Sequence, residues 1–187
     1  MDSTSKDFRE VKNRRTLILV RHVSAEPGED GATDADRPLS SEGLDQIPAL
    51  IESLRQYPVQ RIYTSDTKRA AQTASEIGKA LGLPALPVPA LREVAANAGA
   101  KNGIEIKQTD QQESVQAFQD RISGSIDGIL SECPEGCTVI VAHSGTIRAT
   151  LRHLLRLPLT VYDVPSISQG GIVVLVNQDG QSWNSAG

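Results

Sequence analysis

Two of the three histidines in the chain stand just beyond apolar runs. Leu17-Ile18-Leu19-Val20 leads into Arg21-His22, and Thr138-Val139-Ile140-Val141-Ala142 leads into His143-Ser144-Gly145. A third run, Arg61-Ile62-Tyr63-Thr64, leads into Ser65, with Arg69 shortly after it. Imidazole attacks or moves protons near neutral pH. The planar guanidinium fork suits phosphate oxygens. An arginine in the first turn of a helix opposes the helix dipole unless an anion lies between it and the free N–H groups. Arg21, Arg69, His22 and His143 therefore read as a cradle for a phosphoryl group, with histidine available for attack or protonation. His153 falls mid-helix and reads as structural. Cys133 and Cys137 read as free thiols flanking a turn, because nothing nearby completes a metal site.

Such a cradle needs strands that end together. Residues 16–20 and 138–142 have the continuous apolar pattern of strands covered on both faces. Residues 61–64 and 172–176 read as further strands, and 86–88 as a short extended piece between Pro84, Pro87 and Pro89. A first helix is expected from Ser40 or Ser41, with Leu44, Ile47, Ile51 and Leu54 on its apolar face and a kink or late start at Pro48. A second is expected to be capped by Ser65 or Asp66, to turn Ala70, Ala74, Ile77 and Leu81 inward, and to end at Gly82. A third carries Val115, Phe118, Ile122, Ile126 and Ile129 on one face. A fourth opens at Ser144 with Ile147, Leu151 and Leu154 inward. Residues 95–112 are polar and show no period. This alternation predicts an α/β fold: a three-layer sandwich with a mainly parallel sheet and helices on both faces. Ligands bind such sheets beyond the carboxyl ends of the strands.

The chain has 187 residues, 39% of them hydrophobic and only 3% aromatic, so aliphatic side chains must build the core. One domain is expected over residues 15–177, between a mobile N-terminal tail (1–14) and a polar C-terminal tail (178–187). The net charge of −4 argues against a nucleic-acid or anionic-membrane partner. No apolar run approaches the ~20 residues that cross a bilayer. The charged N-terminal stretch lacks a signal-peptide pattern, and a cytoplasmic location is expected. The acidic run Glu26, Glu29, Asp30, Asp34, Asp36 does not have EF-hand spacing and reads as a solvated loop. Its sharper alternative is a preference for a substrate carrying positive charge.

Five segments together resemble the histidine phosphatase superfamily, also called phosphoglycerate mutase-like. They are Leu19-Val20-Arg21-His22, Asp36-Arg37-Pro38-Leu39-Ser40-Ser41-Glu42-Gly43, Ser65-Asp66-Thr67-Lys68-Arg69-Ala70-Ala71-Gln72-Thr73-Ala74, Leu91-Arg92-Glu93 and Val141-Ala142-His143-Ser144-Gly145-Thr146-Ile147-Arg148. They stand in the family's order. The resemblance implies a phosphoglycerate mutase-like fold with the site at the strand ends. It implies His22 as nucleophile, Arg21, Arg69 and His143 as holders of the phosphoryl oxygens, and Glu93 as acid and later base. It also implies chemistry without a metal or other cofactor. The family's usual glycine after the nucleophile is Val23 here, a bulky group that would narrow the pocket. The usual glycine after the second histidine is Ser144, which keeps the backbone N–H, adds a hydroxyl and joins the substrate-binding set. The familiar asparagine after the nucleophile is absent.

Glu105 is a distant rival to Glu93. Ser24, Arg37 and Arg148 read as surface or structural before substrate contacts, as do Lys101 and Lys107. The expected function is hydrolysis of a small phosphorylated metabolite through a phosphohistidine. The alternatives are a protein phosphohistidine phosphatase, a phosphoglycerate-type mutase and a non-catalytic phosphate-binding protein.

Overall fold

The computed structural model describes residues 15–28, 34–93, 113–160, 167–178 and 182–185. Expectations for residues 1–14, Glu29, Asp30, Lys101, Glu105 and Lys107 lie outside them. The strands are β1 (Arg15–Arg21), β2 (Val59–Thr64), β3 (Ala85–Pro87), β4 (Gly136–Ala142), β5 (Ile172–Asn177) and β6 (Trp183–Ser185). The helices are α1 (Ser41–Leu54), α2 (Lys68–Leu81), α3 (Val115–Glu132) and α4 (Ser144–Leu154). Short 3-10 turns lie at Asp34–Asp36 and Pro89–Leu91. The sheet order is β3-β2-β4-β1-β5-β6. β3, β2, β4 and β1 pair in parallel, and β5 and β6 add antiparallel at one edge. The mainly parallel α/β sheet is therefore as expected.

Side-chain alternation along the strands divides the core in two. Leu17, Leu19, Tyr63, Ile140 and Ala142 pack with Phe118, Ile122 and Ile126 of α3 and Ile147 and Leu151 of α4. Ile18, Val20, Ile62, Val139 and Val141 pack with Ile47 and Leu54 of α1 and Ala70, Ala74 and Ile77 of α2. The loop after β1 thus leads to one layer and the loop after β4 to the other. In open α/β sheets ligands bind between two such loops, at the carboxyl ends of adjacent strands.

Cys133 and Cys137 are free and buried in opposite core layers. His153 pairs with Asp127, joining α4 to α3. Among the described residues no helix is long and apolar enough to cross a membrane.

Several local expectations shift. α1 runs unbroken through Pro48 from its Ser40 cap. It buries Gly43, Ile47, Leu50 and Leu54, while Leu44 is 56% exposed. Gly43 takes the inward slot because the first turn of α1 presses on the loop after β1. A Cβ there would stand 2.0 Å from the Ser24 carbonyl oxygen. Val115 is 41% exposed in the first turn of α3. Thr67, not Ser65 or Asp66, precedes α2, because the Ser65 hydroxyl is turned to His143. Gly82 ends α2 in the left-handed conformation, as expected. The segment read as a polar C-terminal tail carries β6, which pairs Trp183 with Asn177.

Gly43→Ala should destabilise the fold by about 1–3 kcal/mol, the usual scale of overpacking. Gly124→Ala, where a Cβ meets nothing, should stabilise α3 by roughly 0.5–1 kcal/mol. Urea unfolding of the two variants checks both signs.

Candidate active site

The register of β1 on β4 builds the site. Arg21 pairs with Ala142, so the next residues, His22 and His143, emerge side by side. The His22 amide donates to the Ala142 carbonyl at 3.0 Å, and the two rings meet edge to face with centroids 5.2 Å apart. On the other side of β4, Ser65 N–H donates to the Val141 carbonyl at 3.0 Å and brings in the start of α2. β5 closes the opposite flank. Gly170, with φ +73°, donates its amide to the carbonyls of Arg21 and His22, and Arg21 N–H donates to the Gly171 carbonyl.

His22 Nδ1 lies 2.7 Å from the Val23 carbonyl oxygen. A carbonyl only accepts, so Nδ1 carries the proton and Nε2 keeps its lone pair. Arg69 Nε donates to that Nε2 at 3.2 Å. Burial, followed by the charges of Arg69, Arg21 and Arg37, overcomes the Val23 hydrogen bond and pushes the His22 pKa down to about 4. His143 is pushed down to about 3 by burial and then by Arg69. Its Nε2 faces Ser65 Oγ at 3.0 Å and Thr67 Oγ1 at 3.2 Å, and its Nδ1 faces Arg69 Nη2 at 3.4 Å. Both imidazoles are neutral at pH 7.

Arg69 is buried and links all of these groups. Besides its bonds to the histidines, its Nη2 donates to Asp34 Oδ2 at 2.8 Å and its Nη1 donates to the Asp34 carbonyl. Asp34 Oδ1 accepts from Arg37 Nη1 at 2.9 Å, and Arg37 Nε donates to the Glu26 carbonyl at 2.6 Å. Burial alone would raise the Asp34 pKa. The hydrogen bond from Arg37 and the charge of Arg69 outweigh it and hold the carboxyl below its ordinary value.

Arg21, Glu93 and Arg148 lie toward the α3/α4 layer. Arg21 shares the parity of Leu17 and Leu19, and its Nη1 donates to the Ile167 carbonyl at 2.7 Å. Burial lowers its pKa, Glu93 opposes that, and Arg148 and Arg69 add to it. Glu93 Oε2 accepts from Gly145 N–H at 2.7 Å, at the open N-terminus of α4. A Cβ at residue 145 would lie 2.2 Å from Glu93 Oε1, so a side chain there would push the carboxylate off this approach. Ser144 stands at the first position of α4, half-buried beside His143.

The backbone carrying Glu93 is held by Arg121. Its Nη1 donates to the carbonyls of Ala90 at 2.6 Å and Arg92 at 3.1 Å, and its fork pairs with Glu113. Arg92 in turn pairs with Asp66 beside α2.

The structure therefore gathers His22, His143, Arg69 and Arg21 at one strand edge, with Ser144 and Glu93 at the adjoining helix end. The expected narrowing by Val23 does not occur. Val23 is fully buried in the α1/α2 core layer without a left-handed backbone. Ser24 joins Gln46 and Gln169 in a hydrogen-bonded group behind the site. Sequence reasoning missed Asp34 and Gly170. Asp34 gave a signal only as one carboxylate of the acidic run. Among the described residues no group of His, Cys, Asp and Glu is arranged to hold a metal ion.

A family model described as histidine phosphatase superfamily (branch 1) matches residues 17–186. Comparison with the curated proteins gives no match. Several solved structures are similar. A mycobacterial glucosyl-3-phosphoglycerate phosphatase is 21% identical over 92% of this chain and 97% of its own, with a TM-score of 0.74. A phosphoglycerate mutase of Bacillus anthracis str. Sterne is 19% identical over 94% of this chain and 93% of its own, with a TM-score of 0.74. A protein called mycobacterial hydrolase 1 is 22% identical over 93% and 97%, with a TM-score of 0.78. At these identities the likeness is one of fold.

The two neutral histidines make stability depend on pH. Unfolded imidazole binds a proton near pH 6.5, whereas His22 and His143 resist it down to about 4 and about 3. The unfolded chain then binds more protons, so stability is full above pH 6.5 and falls as the pH drops toward those values. Each histidine adds a slope of at most about 1.4 kcal/mol per pH unit. Urea unfolding between pH 7 and 5 should show a shallower slope in His22→Gln and in His143→Gln than in the parent. Equal slopes in all three would contradict the burial argument.

Proposed function

Since the chain belongs to the histidine phosphatase superfamily, we propose that it is a metal-independent phosphomonoesterase acting on a small phosphorylated metabolite through a phosphohistidine on His22. The observation that carries this reading is the His22 tautomer. The Val23 carbonyl accepts a hydrogen bond from Nδ1–H, which leaves the lone pair on Nε2, where Arg69 Nε–H meets it. A ring that is neutral at pH 7 can use that lone pair for attack once the phosphoryl oxygens take over the Arg69 Nε–H that it accepts in the unliganded site.

A phosphoryl dianion is held between Arg21, Arg69 and His143, with Ser144 and the first N–H groups of α4 beside it. Nε2 attacks phosphorus in line and the P–O bond to the alcohol breaks. Protonated Glu93 gives its proton to the departing oxygen. Glu93, now a carboxylate, takes a proton from water as that water attacks phosphorus. The P–N bond breaks, and inorganic phosphate leaves with His22 neutral again. Stabilisation of the equatorial oxygens by the guanidinium groups is the largest catalytic contribution.

A second reading, a protein phosphohistidine phosphatase, is favoured by one contact. The Glu93 carboxylate is engaged by the Gly145 amide, and an imidazole leaving group needs less help from an acid than an alkoxide does.

His22→Ala should abolish turnover, and rapid quenching of the parent protein should trap an acid-labile, base-stable phosphoenzyme. Exhaustive chelation should leave turnover intact, because the arginines supply the positive field; activity restored only by magnesium or zinc would refute this.

Glu93→Gln separates the two readings. In single-turnover measurements of phosphoenzyme formation it should slow alkyl phosphates by ~10²–10⁴-fold and nitrophenyl phosphate far less. Small, equal losses with both would favour the protein phosphohistidine substrate.

A further inference from the structure

The cradle for the phosphoryl group already holds an anion. Asp34 places one carboxylate oxygen on Arg69 Nη2 at 2.8 Å and the other on Arg37 Nη1 at 2.9 Å. Two guanidinium groups thus grip one planar anion, an oxygen each. This is how arginines grip two oxygens of a phosphoryl group, and the oxygen spacing of the two groups is similar. From this we infer that Asp34 is an internal stand-in for the phosphoryl group, and that Arg37 is a further phosphoryl-binding residue which the substrate reaches by displacing the Asp34 carboxylate. The inference rests on the phosphatase reading and adds to it the way the site is filled before substrate arrives.

Three features of the geometry decide which partner moves. The Arg69 side chain is 6% exposed and tied to both histidines, whereas the Asp34 side chain is 66% exposed. Arg69 is therefore fixed and Asp34 is free to turn outward into water. Arg69 Nη1 also donates to the Asp34 carbonyl, so the carboxylate can leave by rotating about its own side-chain bonds while the turn stays anchored. Arg37 is held by the Glu26 carbonyl through Nε, which leaves its Nη1 aimed at the site once Asp34 departs. A phosphoryl dianion carries twice the charge of a carboxylate, so its Coulomb attraction to the two guanidinium groups is the larger at equal distance and works against its larger cost of desolvation. Without Asp34, two guanidinium groups would face each other across an empty cleft, so the carboxylate also keeps the unliganded site assembled. Every ligand then binds more weakly by the factor needed to expel Asp34.

Isothermal titration with inorganic phosphate tests this without relying on turnover. Asp34→Ala and the near-isosteric Asp34→Asn should each bind phosphate about tenfold more tightly than the parent. Adding Arg37→Gln to Asp34→Ala should weaken binding by roughly tenfold or more. Arg37→Gln alone should have a smaller effect, because it removes a ligand and also loosens the competitor. Unchanged or weaker phosphate binding in both Asp34 variants would overturn the stand-in role. Equal binding by Asp34→Ala with and without Arg37→Gln would overturn the role of Arg37. Adding Arg69→Ala to Asp34→Ala separates the two levels. A strong loss there keeps the phosphoryl site even if the Asp34 and Arg37 results fail, whereas no loss discards the site itself.

Discussion

The parallel pairing of β1 with β4 is the constraint on which the site depends. A one-residue slip would exchange the two faces of every side chain on β1. Leu17 and Leu19 would then point at α1 and α2, and Ile18 and Val20 at α3 and α4. His22 would turn away from Arg69. Burial on both faces therefore fixes the register, and the register fixes the 5.2 Å between the imidazole rings. The hydrophobic core and the chemistry are specified by the same hydrogen-bond ladder.

Charge is arranged on that frame by layer. The layer of α1 and α2 supplies His22, Arg69 and, through the loop after β1, Asp34 and Arg37. The layer of α3 and α4 supplies Glu93, Arg148 and the open N-terminus of α4. Arg21 points to the second layer and His143 to the first, so each strand end contributes to both. Neutral imidazoles between guanidinium groups are the cheapest arrangement electrically, because a further positive charge there would be both desolvated and repelled.

The parts of this arrangement that a sequence can show are those tied to strand ends. Arg21, His22 and His143 follow apolar runs, and Arg69 sits in the first turn of a helix whose apolar period is clear. Their placement needed only the rule that parallel strands end together. Other features depend on contacts across the fold. Leu44 fits the apolar period of α1 yet is exposed, because Gly43 must face the Ser24 carbonyl. Ser65 has the right type for a helix cap, but His143 takes its hydroxyl. Asp34 looks like one more solvated carboxylate until the β1–α1 connection folds it over Arg69. Val23 looks obstructive until its side chain is seen packed in the α1/α2 layer. β6 is too short and too polar for its pattern to stand out.

Arg121 has a consequence for the chain's tolerance of change. Its guanidinium holds the carbonyls of Ala90 and Arg92 on one side and the carboxylate of Glu113 on the other. Arg121 thereby ties residues 90–92 to Glu113 across the start of α3. Glu93 is thus held on Gly145 from α3, so a change at Arg121 or Glu113 reaches the site through the backbone of residues 90–92.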